Sequence, residues 1–302
     1  MADVMATAAA VELEAPPEVA GTSRRGYGIG FWLAVLVLGS IVLGCLFEPW
    51  LPLDDFRIPD AANRQVAFSS DHLLGTDNIG RDNLARMLEG GRTSLFIGAA
   101  VTVLGFIGGG IIGLVAGYFR GWIERVLMGV VDIFLAFPAL VFALALISVI
   151  ADESGTTVSA VVTSLTVLAV PPLARITRAT TLQFSQREFV TAARSLGARH
   201  HRIIIKEILP NVVPPMLSFA LVVLAVVIVA EAALGFVGVG LPDDKYPTWG
   251  NMIAAGRNSP NALEEHATVA LIPAGILFAT VLSLNLIGDK LRQRFDVKES
   301  GV

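Results

Sequence analysis

Apolar residues dominate this chain in long runs, and short polar stretches separate the runs from one another. A helix needs about 20 mostly apolar residues to cross the hydrocarbon core of a bilayer, which is roughly 30 Å thick. Six runs are long enough to predict membrane-spanning helices, and they lie at 29–47, 93–117, 126–150, 157–174, 212–236 and 267–288. The fourth run gives the weakest signal, because it is short and rich in Thr and Ser.

The composition supports the same fold class, an all-α integral membrane protein with six transmembrane helices. Of the 302 residues, 54% are hydrophobic and only 16% are charged, and the mean hydropathy is +0.68. Soluble domains carry more charge and less apolar surface. The net charge of −4 gives no reason to expect nucleic acid, because the basic residues are concentrated in a few loops. Cys45 is the only cysteine, so no disulfide can form within the chain.

Lys and Arg are distributed unevenly between the two sets of alternating loops. One set holds 15 of them, whereas the other set holds seven together with 14 acidic residues. Because the cytoplasmic loops of membrane proteins are enriched in Lys and Arg, we expect the first set and both chain termini to be cytoplasmic.

The expected organisation has four parts: a disordered cytoplasmic tail, a first span with an extracytoplasmic segment, a core of five spans and a second cytoplasmic tail, at 1–28, 29–92, 93–289 and 290–302. Two sequence patterns suggest instead that the first span is part of a signal sequence. Ser23-Arg24-Arg25 resembles a twin-arginine signal, and Val42-Leu43-Gly44-Cys45 resembles a lipoprotein cleavage site. The acidic tail and the five later spans favour a retained first span.

The most basic stretch between two spans is 175–210, which contains seven of the 22 Lys and Arg residues and two acidic residues. Apolar residues at helical spacing predict one apolar helix face, formed by Phe189, Ala192, Ala193 and Leu196. Gly197 is expected to end this helix, and a second apolar stretch, 203–209, runs into Pro210. A helix–turn–helix with an apolar face at the cytoplasmic surface predicts a docking site for a partner protein.

This stretch resembles the EAA loop of permease subunits in ATP-driven (ABC) importers, which docks the ATPase. The residues that match the family pattern are Ala192, Ala193, Gly197, Leu209 and Pro210. The resemblance implies that residues 175–209 couple this chain to an ATPase, with Ala198 and Ile208 in the same motif. Thr191 occupies the position where the family usually has Glu. Glu188 lies one helical turn earlier on roughly the same face and is a candidate substitute.

Three further strings resemble the C-type subunits of dipeptide, oligopeptide and nickel importers: HLLGTDNIGRDNLARMLEGGRTSL (His72 to Leu95), PTWGNMIAAGR (Pro247 to Arg257) and NLIGDKLRQRFD (Asn285 to Asp296). The resemblance implies a type I ABC importer permease fold in the plasma (inner) membrane. It also implies three kinds of partner: a second related permease, one or two ATPase subunits and an extracytoplasmic solute-binding protein. ATP and Mg would bind the ATPase subunits, and no cofactor is expected on this chain.

The chain contains no motif that indicates catalysis. The G-x-x-x-x-G-K-[ST] phosphate loop, the G-x-S-x-G elbow and the H-E-x-x-H motif are all missing from the sequence.

Di- or oligopeptides are the first expectation for the solute, and nickel or another small solute is the alternative. A self-sufficient secondary transporter is the alternative from another class, but such proteins often contain an internal repeat, and no repeat relates 29–150 to 157–288.

Several residues inside the spans have predicted roles. A glycine occurs at every fourth position of the second span, which predicts close contact with another helix through Gly105, Gly109, Gly113 and Gly117. Pro138 and Pro273 predict kinks in the third and sixth spans. Glu231 lies in the fifth span, where an ionised group costs roughly 2.5–3.5 kcal/mol at the bilayer centre. It therefore faces either the transport pathway or a buried hydrogen bond, and its closeness to the interface favours the hydrogen bond.

Residues near the span ends complete the predictions. Trp50 and Trp249 are expected to be interfacial aromatics. The residues that begin with Trp249 predict a short amphipathic helix on the outer surface. Asp132 is expected to pair with a basic residue such as Arg125 or Arg292 near the inner surface.

Overall fold

The computed structural model describes residues 27–53, 55–64, 66, 68–70, 72–151, 155–258 and 268–299. Residues 1–26, which hold the twin-arginine pattern and most of the expected tail, lie outside this range. Nine helices of eight or more residues occur in the described part: α1 (Ile29–Phe47), α2 (Asn83–Phe119), α3 (Gly121–Ala136), α4 (Ala139–Ile150), α5 (Val158–Phe184), α6 (Glu188–Ser195), α7 (Leu209–Val237), α8 (Trp249–Asn258) and α9 (Thr268–Glu299). Shorter helical turns lie at Glu48–Trp50, Ala61–Asn63, His200–Arg202 and Ile203–Ile208.

Within the described residues, five stretches of helix are long and apolar enough to cross a membrane. The consecutive helices α3 and α4 pass the same test only as a bent pair. Across the described residues the chain forms no strand beyond a single β-bridge between Thr76 and Asp82. The prediction of an all-helical membrane protein is therefore confirmed, and the spans number six when the bent pair counts as one.

The third predicted span, 126–150, is not one kinked helix. Its two parts, α3 and α4, meet at an angle of 94°. Pro138 has no N–H to continue the helix, and it disfavours helical conformation in the residue before it. Phe137 is accordingly extended, with φ −82° and ψ 141°. The predicted kink is thus a complete break, whereas Pro273 lies within α9.

Three helices extend well beyond the predicted spans. α9 ends at Glu299, 11 residues past the predicted end at 288. α2 begins at Asn83, ten residues before the predicted start, because the carboxylate of Asp82 caps it by accepting a hydrogen bond from the N–H of Ala85. α5 continues to Phe184, ten residues past the predicted end at 174. None of these extensions is apolar enough to be recognised as membrane-spanning, so hydropathy alone starts α2 too late and ends α5 and α9 too early.

α2 and α5 lie side by side along the predicted glycine face. All four predicted glycines face α5: Gly105, Gly109, Gly113 and Gly117. A Cβ atom added to Gly109 would lie 2.7 Å from the Cβ of Leu173, and one added to Gly117 would lie 2.7 Å from the Cβ of Thr181. These distances are shorter than van der Waals contact, so glycine is what allows the two backbones to approach.

α8 forms where the sequence predicts a short helix, but it is packed into the molecule and is not a surface helix. Trp249 is 0% exposed, and its Nε1–H donates a hydrogen bond of 3.1 Å to the carbonyl oxygen of Met87. A Cβ on Gly250 would lie 2.6 Å from the Cα of Ala232, so α8 contacts α7 closely. The interfacial assignment of Trp249 is wrong, because its ring packs in a cluster with Cys45, Ala225, Ile228 and Leu284.

Candidate functional site

The residues between α5 and α7 form a distinct unit at one end of the helices. We name residues 185–209 the basic segment, because it contains five Arg and Lys residues and only two acidic ones. It consists of α6, a glycine turn, a single α-helical turn (His200–Arg202) and a π-helical turn (Ile203–Ile208). The π-helical turn leads directly into α7.

A hydrogen-bonded glycine turn ends α6. Gly197 has a φ of +78°, in the left-handed region that glycine adopts without strain. Its N–H donates to the carbonyl of Arg194, and the N–H of Ala198 donates to the carbonyl of Ala193, both at 3.0 Å. This pair of bonds is the Schellman motif, which satisfies the last carbonyls of a helix and reverses the chain.

One face of α6 holds the helix to the rest of the protein. Val190 is 0% exposed and packs in a cluster with Phe184 and Met216, and Ala193 and Ala198 border the same cluster. The opposite face is not covered by any other described part of the chain: Thr191 and Ala192 are exposed, and Leu196 is 88% exposed. Most of the predicted apolar face of α6 is therefore exposed to solvent. The sequence pattern did not predict that Val190 anchors the helix.

The remaining predicted coupling residues are divided between surface and core. Glu188 is exposed in the first turn of α6, where its negative charge interacts favourably with the helix dipole. It lies three residues before Thr191, so both side chains belong to adjacent turns of the exposed surface. Ile208 is fully buried, Leu209 is partly buried, and Pro210 is exposed in the first turn of α7.

The end of α2 is linked to the start of the basic segment and to its glycine turn. The hydroxyl of Tyr118 lies 2.7 Å from Nδ1 of His200, and Nη2 of Arg120 donates to Oγ of Ser185 at 3.1 Å. An open groove of about 690 Å³ lies beside the first contact; its lining residues are Phe119, Gly197, Ala198, Arg199, His200, His201 and Ile204. These contacts fix the position of the glycine turn relative to α2.

Two ion pairs join α3 to α5 near the same end. Nε of Arg178 donates to Oε1 of Glu124 at 2.7 Å. Nη2 of Arg175 lies 2.6 Å from Oδ1 of Asp132. Asp132 therefore pairs with a basic residue as predicted, but the partner is Arg175 on the next span and is neither of the two arginines given as examples.

Glu231 is 2% exposed and forms hydrogen bonds between three elements. Oγ of Ser94 in α2 donates to Oε2 of Glu231 at 2.9 Å, and the side chain of Thr248 also hydrogen-bonds to this carboxyl. The backbone N–H of Trp249 donates to the same Ser94 Oγ at 3.4 Å. The geometry favours the second of the two predicted roles, a buried hydrogen bond that joins α7 to α2 and to the start of α8.

A network of four ionised residues lies at the opposite end of α2 from the basic segment. We name Asp77, Arg81, Arg86 and Asp243 the ionic network. Arg86 is 0% exposed, and its guanidinium reaches Asp77 Oδ2 and Asp243 Oδ2 at 2.8 Å each. Arg81 contacts the same two carboxylates at 2.7 and 2.8 Å. The network connects the segment before α2 to the loop between α7 and α8.

The ionic network favours the charged forms of Asp77 and Arg81. Burial by itself raises the pKa of Asp77, but Arg86 and Arg81 outweigh this effect, so the pKa lies below its ordinary value. Burial lowers the pKa of Arg81, but Asp243 and Asp77 outweigh it and raise the pKa. In the sequence, only the closeness of Asp77 and Arg81, four residues apart, indicated a possible ion pair. Asp243 is more than 150 residues away, so its pairing with these residues could not be predicted from the sequence.

Comparisons with known proteins identify the family. Residues 109–297 match the model of the binding-protein-dependent transport system inner membrane component. The chain is 38% identical over 277 residues to a putative peptide transport system permease protein of Brucella suis, covering 90% of this chain and 88% of the relative. It is 36% identical over 275 residues to a glutathione transport system permease protein of Pectobacterium atrosepticum, covering 91% and 88%. A dipeptide transport system permease protein of Alkalihalophilus pseudofirmus is 31% identical over 266 residues, covering 88% and 85%.

The fold is also found among solved structures. The chain is similar to the MetNI methionine ABC transporter in an inward-facing conformation, with a TM-score of 0.58 and 22% identity, over 69% of this chain and 95% of that chain. The protein is thus a multi-pass inner-membrane protein with the type I ABC importer permease fold. It belongs to the family of binding-protein-dependent transport system inner membrane components and is a permease subunit of an ABC importer. The family resemblance seen in the sequence is confirmed.

Proposed function

We propose that this chain and a second related permease enclose a translocation pathway for di- or oligopeptides, which an extracytoplasmic binding protein delivers. Three relatives are named for peptide, glutathione and dipeptide transport, and all three solutes contain peptide-like amide bonds. Both termini are cytoplasmic in this proposal, as the distribution of Lys and Arg favours. The binding protein selects the solute outside the membrane.

The free energy for transport comes from separate ATPase subunits. This chain has no phosphate-binding loop, so ATP and Mg²⁺ bind the ATPase subunits and no cofactor is held here. The observation that carries this proposal is the exposed face of α6. Leu196 is 88% exposed next to Thr191 and Ala192, whereas Val190 fixes the same helix to the core. A rigid helix with an exposed apolar tip suits insertion into a cleft of a partner.

The residues of the basic segment have separate roles in this proposal. Leu196 and Ala192 contact the ATPase, and Glu188 replaces the acid that is missing at Thr191. Gly197 and Ala198 form the turn that presents the tip, whereas Ile208, Leu209 and Pro210 connect it to α7. ATP-driven closure of two ATPase subunits moves the paired basic segments together and opens the pathway outward. Hydrolysis resets the pathway, which gives alternating access.

The proposal is tested with purified chain in liposomes, together with a second permease, ATPase subunits and a binding protein of the same transport system. Uptake of a labelled peptide against its gradient is expected only when all components and ATP are present. Uphill uptake by this chain alone would reject the proposal, and uptake of another solute with no uptake of any peptide would correct its substrate class.

The contact surface is tested with Leu196→Asp. A carboxylate at the exposed tip opposes insertion into an apolar cleft, because its desolvation has no compensating partner. Less ATPase is expected to co-purify with the variant, and its peptide uptake is lost. Ile58→Asp is the matched control, since Ile58 is also exposed but lies far from the basic segment in the chain. Unchanged ATPase recovery with Leu196→Asp would contradict the assigned surface.

A further inference from the structure

The buried residues of the π-helical turn and the start of α7 have an uneven spacing. Ile203, Ile208, Val212 and Met216 are all at most 1% exposed, and all belong to one apolar cluster with Phe184 and Val190. They are separated by five, four and four residues. The intervals of four suit an α-helix, whereas the interval of five does not.

The first interval contains one residue more than an α-helix can place on a single face. At 3.6 residues per turn, five residues advance the direction of a side chain to about 140° from its start. A regular α-helix would therefore turn either Ile203 or Ile208 away from the cluster. The wider π-helical turn at Ile203–Ile208 removes this conflict, and the N–H of Leu209 donates to the carbonyl of Ile204, five residues earlier.

The backbone after the π-helical turn is also weakly bonded. Pro210, Pro214 and Pro215 lie in the first two turns of α7, and none of them has an N–H to donate. The side chain of Asn211 donates through Nδ2 to the carbonyl of Glu207 at 2.6 Å. The π-helical turn and the three prolines after it therefore interrupt the α-helical hydrogen bonding within 203–215. Such turns are rare and often occur at functional sites.

We propose that the π-helical turn Ile203–Ile208 is the joint at which the basic segment moves relative to α7. The extra residue keeps both isoleucines in the cluster, while the turn changes shape when an ATPase displaces the tip at Leu196. The contact between Tyr118 and His200 lies on the tip side of this joint. The inference rests on the proposed function, because an ATPase supplies the displacement.

Deletion of Ile205 tests the joint directly. Ile205 is 58% exposed, so its removal leaves the cluster intact and shortens the interval between the two buried isoleucines to four residues, which suits a regular α-helix. We expect the deletion to retain co-purification of the ATPase and ATP hydrolysis but to lose peptide uptake. Ile205→Ala is the matched control, because it removes the side chain and keeps the chain length; it is expected to retain uptake. Uptake at the level of the unaltered chain in the deletion variant would overturn the proposal.

A distance measurement on chains of full length covers the case in which the deletion variant fails to assemble. Spin labels are placed at His201 and Leu217, across the joint, and in a control pair at Leu217 and Val229, within α7, with Cys45→Ser in both. At 1.5 Å per residue the two pairs are about 24 and 18 Å apart. Between the nucleotide-free and ATP-bound complex, the first distance is expected to shift and the second to stay constant. An unchanged first distance in a complex that transports peptide rejects the joint alone; failure of the unaltered chain to bind an ATPase rejects the proposed function as well.

Discussion

Glu231 illustrates how an ionisable residue is accommodated among apolar helices. The sequence showed its depth in the fifth span and left two roles open. The structure adds the neighbours that favour one of them: Ser94 is 137 residues earlier in the chain, and Thr248 follows α7. A hydrogen-bonded carboxyl between three elements is a structural link, and a buried polar group without such partners would be costly.

Replacement of Glu231 separates the two roles. Glu231→Gln retains an acceptor oxygen for Ser94 and has nearly the same volume, so we expect normal assembly and peptide uptake. Glu231→Leu leaves the hydroxyls of Ser94 and Thr248 without this acceptor, which is expected to lower the stability by about 1–3 kcal/mol. Uptake and the thermal unfolding of the purified complex are the measurements. Loss of uptake in a well-assembled Glu231→Gln complex would instead assign Glu231 to the pathway.

A second residue-scale prediction concerns Gly197. Its φ of +78° is unfavourable for a β-branched residue, whereas an added Cβ would meet no atom within 4 Å, so any effect acts through the backbone. Gly197→Val is expected to insert normally but to hydrolyse ATP without coupled uptake, because the Schellman turn no longer holds the tip. Gly129→Val is the control, since Gly129 also has free space and an ordinary helical φ. Normal solute-stimulated ATPase activity coupled to uptake in Gly197→Val would contradict this role.

At the scale of elements, the contact between α2 and α5 depends on glycine. A Cβ on Gly113 would lie 2.6 Å from the carbonyl oxygen of Ala174 and 2.8 Å from the backbone nitrogen of Arg178. Backbone atoms in a packed helix cannot move aside as a flexible side chain can, so the helices must separate. The four-residue spacing showed this face in the sequence, but the identity of the facing helix came from the structure.

Gly113→Ala is therefore expected to destabilise the protein by about 1–3 kcal/mol, the range for overpacking in a core. The measurement is the thermal unfolding of the purified chain in detergent. Gly129→Ala, with no atom within 4 Å of the new Cβ, is expected to leave the unfolding temperature unchanged or slightly higher. Equal unfolding temperatures for the two variants would show that α2 and α5 do not pack as tightly as described.

Helix ends were the least predictable features at this scale. The sequence predicted a kink at Pro138. Whether a proline kinks a helix or breaks it depends on what packs around it. α8 was recognised from its apolar spacing, yet its burial against α7 depends on Gly250 and Ala232, which are close only in the folded chain. Hydropathy gave the centres of the spans and not their polar extensions.

At the scale of the whole molecule, the ionic network joins distant parts of the chain. Asp243→Ala leaves the fully buried Arg86 with Asp77 as its remaining carboxylate. Because Asp243 is partly exposed and Asp77 remains, the cost is expected to be below the about 3–5 kcal/mol that is typical when a fully buried pair is broken. We expect a clear fall in the unfolding temperature of this variant. Asp244→Ala, which changes the exposed neighbouring acid, is expected to have almost no effect. If the two substitutions change the unfolding temperature equally, the ionic network does not stabilise the protein.

The network also predicts a dependence on pH. The pKa of Asp77 in the folded protein lies below its ordinary value of 3.8, so the charged carboxylate stabilises the folded state above that pH. This contribution is lost as the pH falls from about 4 towards the lower folded pKa. Asp77→Asn is expected to be less stable than the unaltered chain at pH 7 and to lose less stability between pH 5 and 3. Thermal unfolding across this range measures both, and parallel curves for the two proteins would contradict the assignment.

The sequence by itself determined the class of protein, the approximate positions of the spans and the basic segment with its glycine turn. These features depend on local hydrophobicity and on backbone preferences of single residues, which do not require the fold. The tertiary structure decided which residues are in contact. Ser94 meets Glu231, Val190 meets the apolar cluster that contains Val212 and Met216 of α7, and Arg86 meets Asp243. Such contacts join residues far apart in the chain, and a one-dimensional pattern holds no information on which distant side chains come within bonding distance.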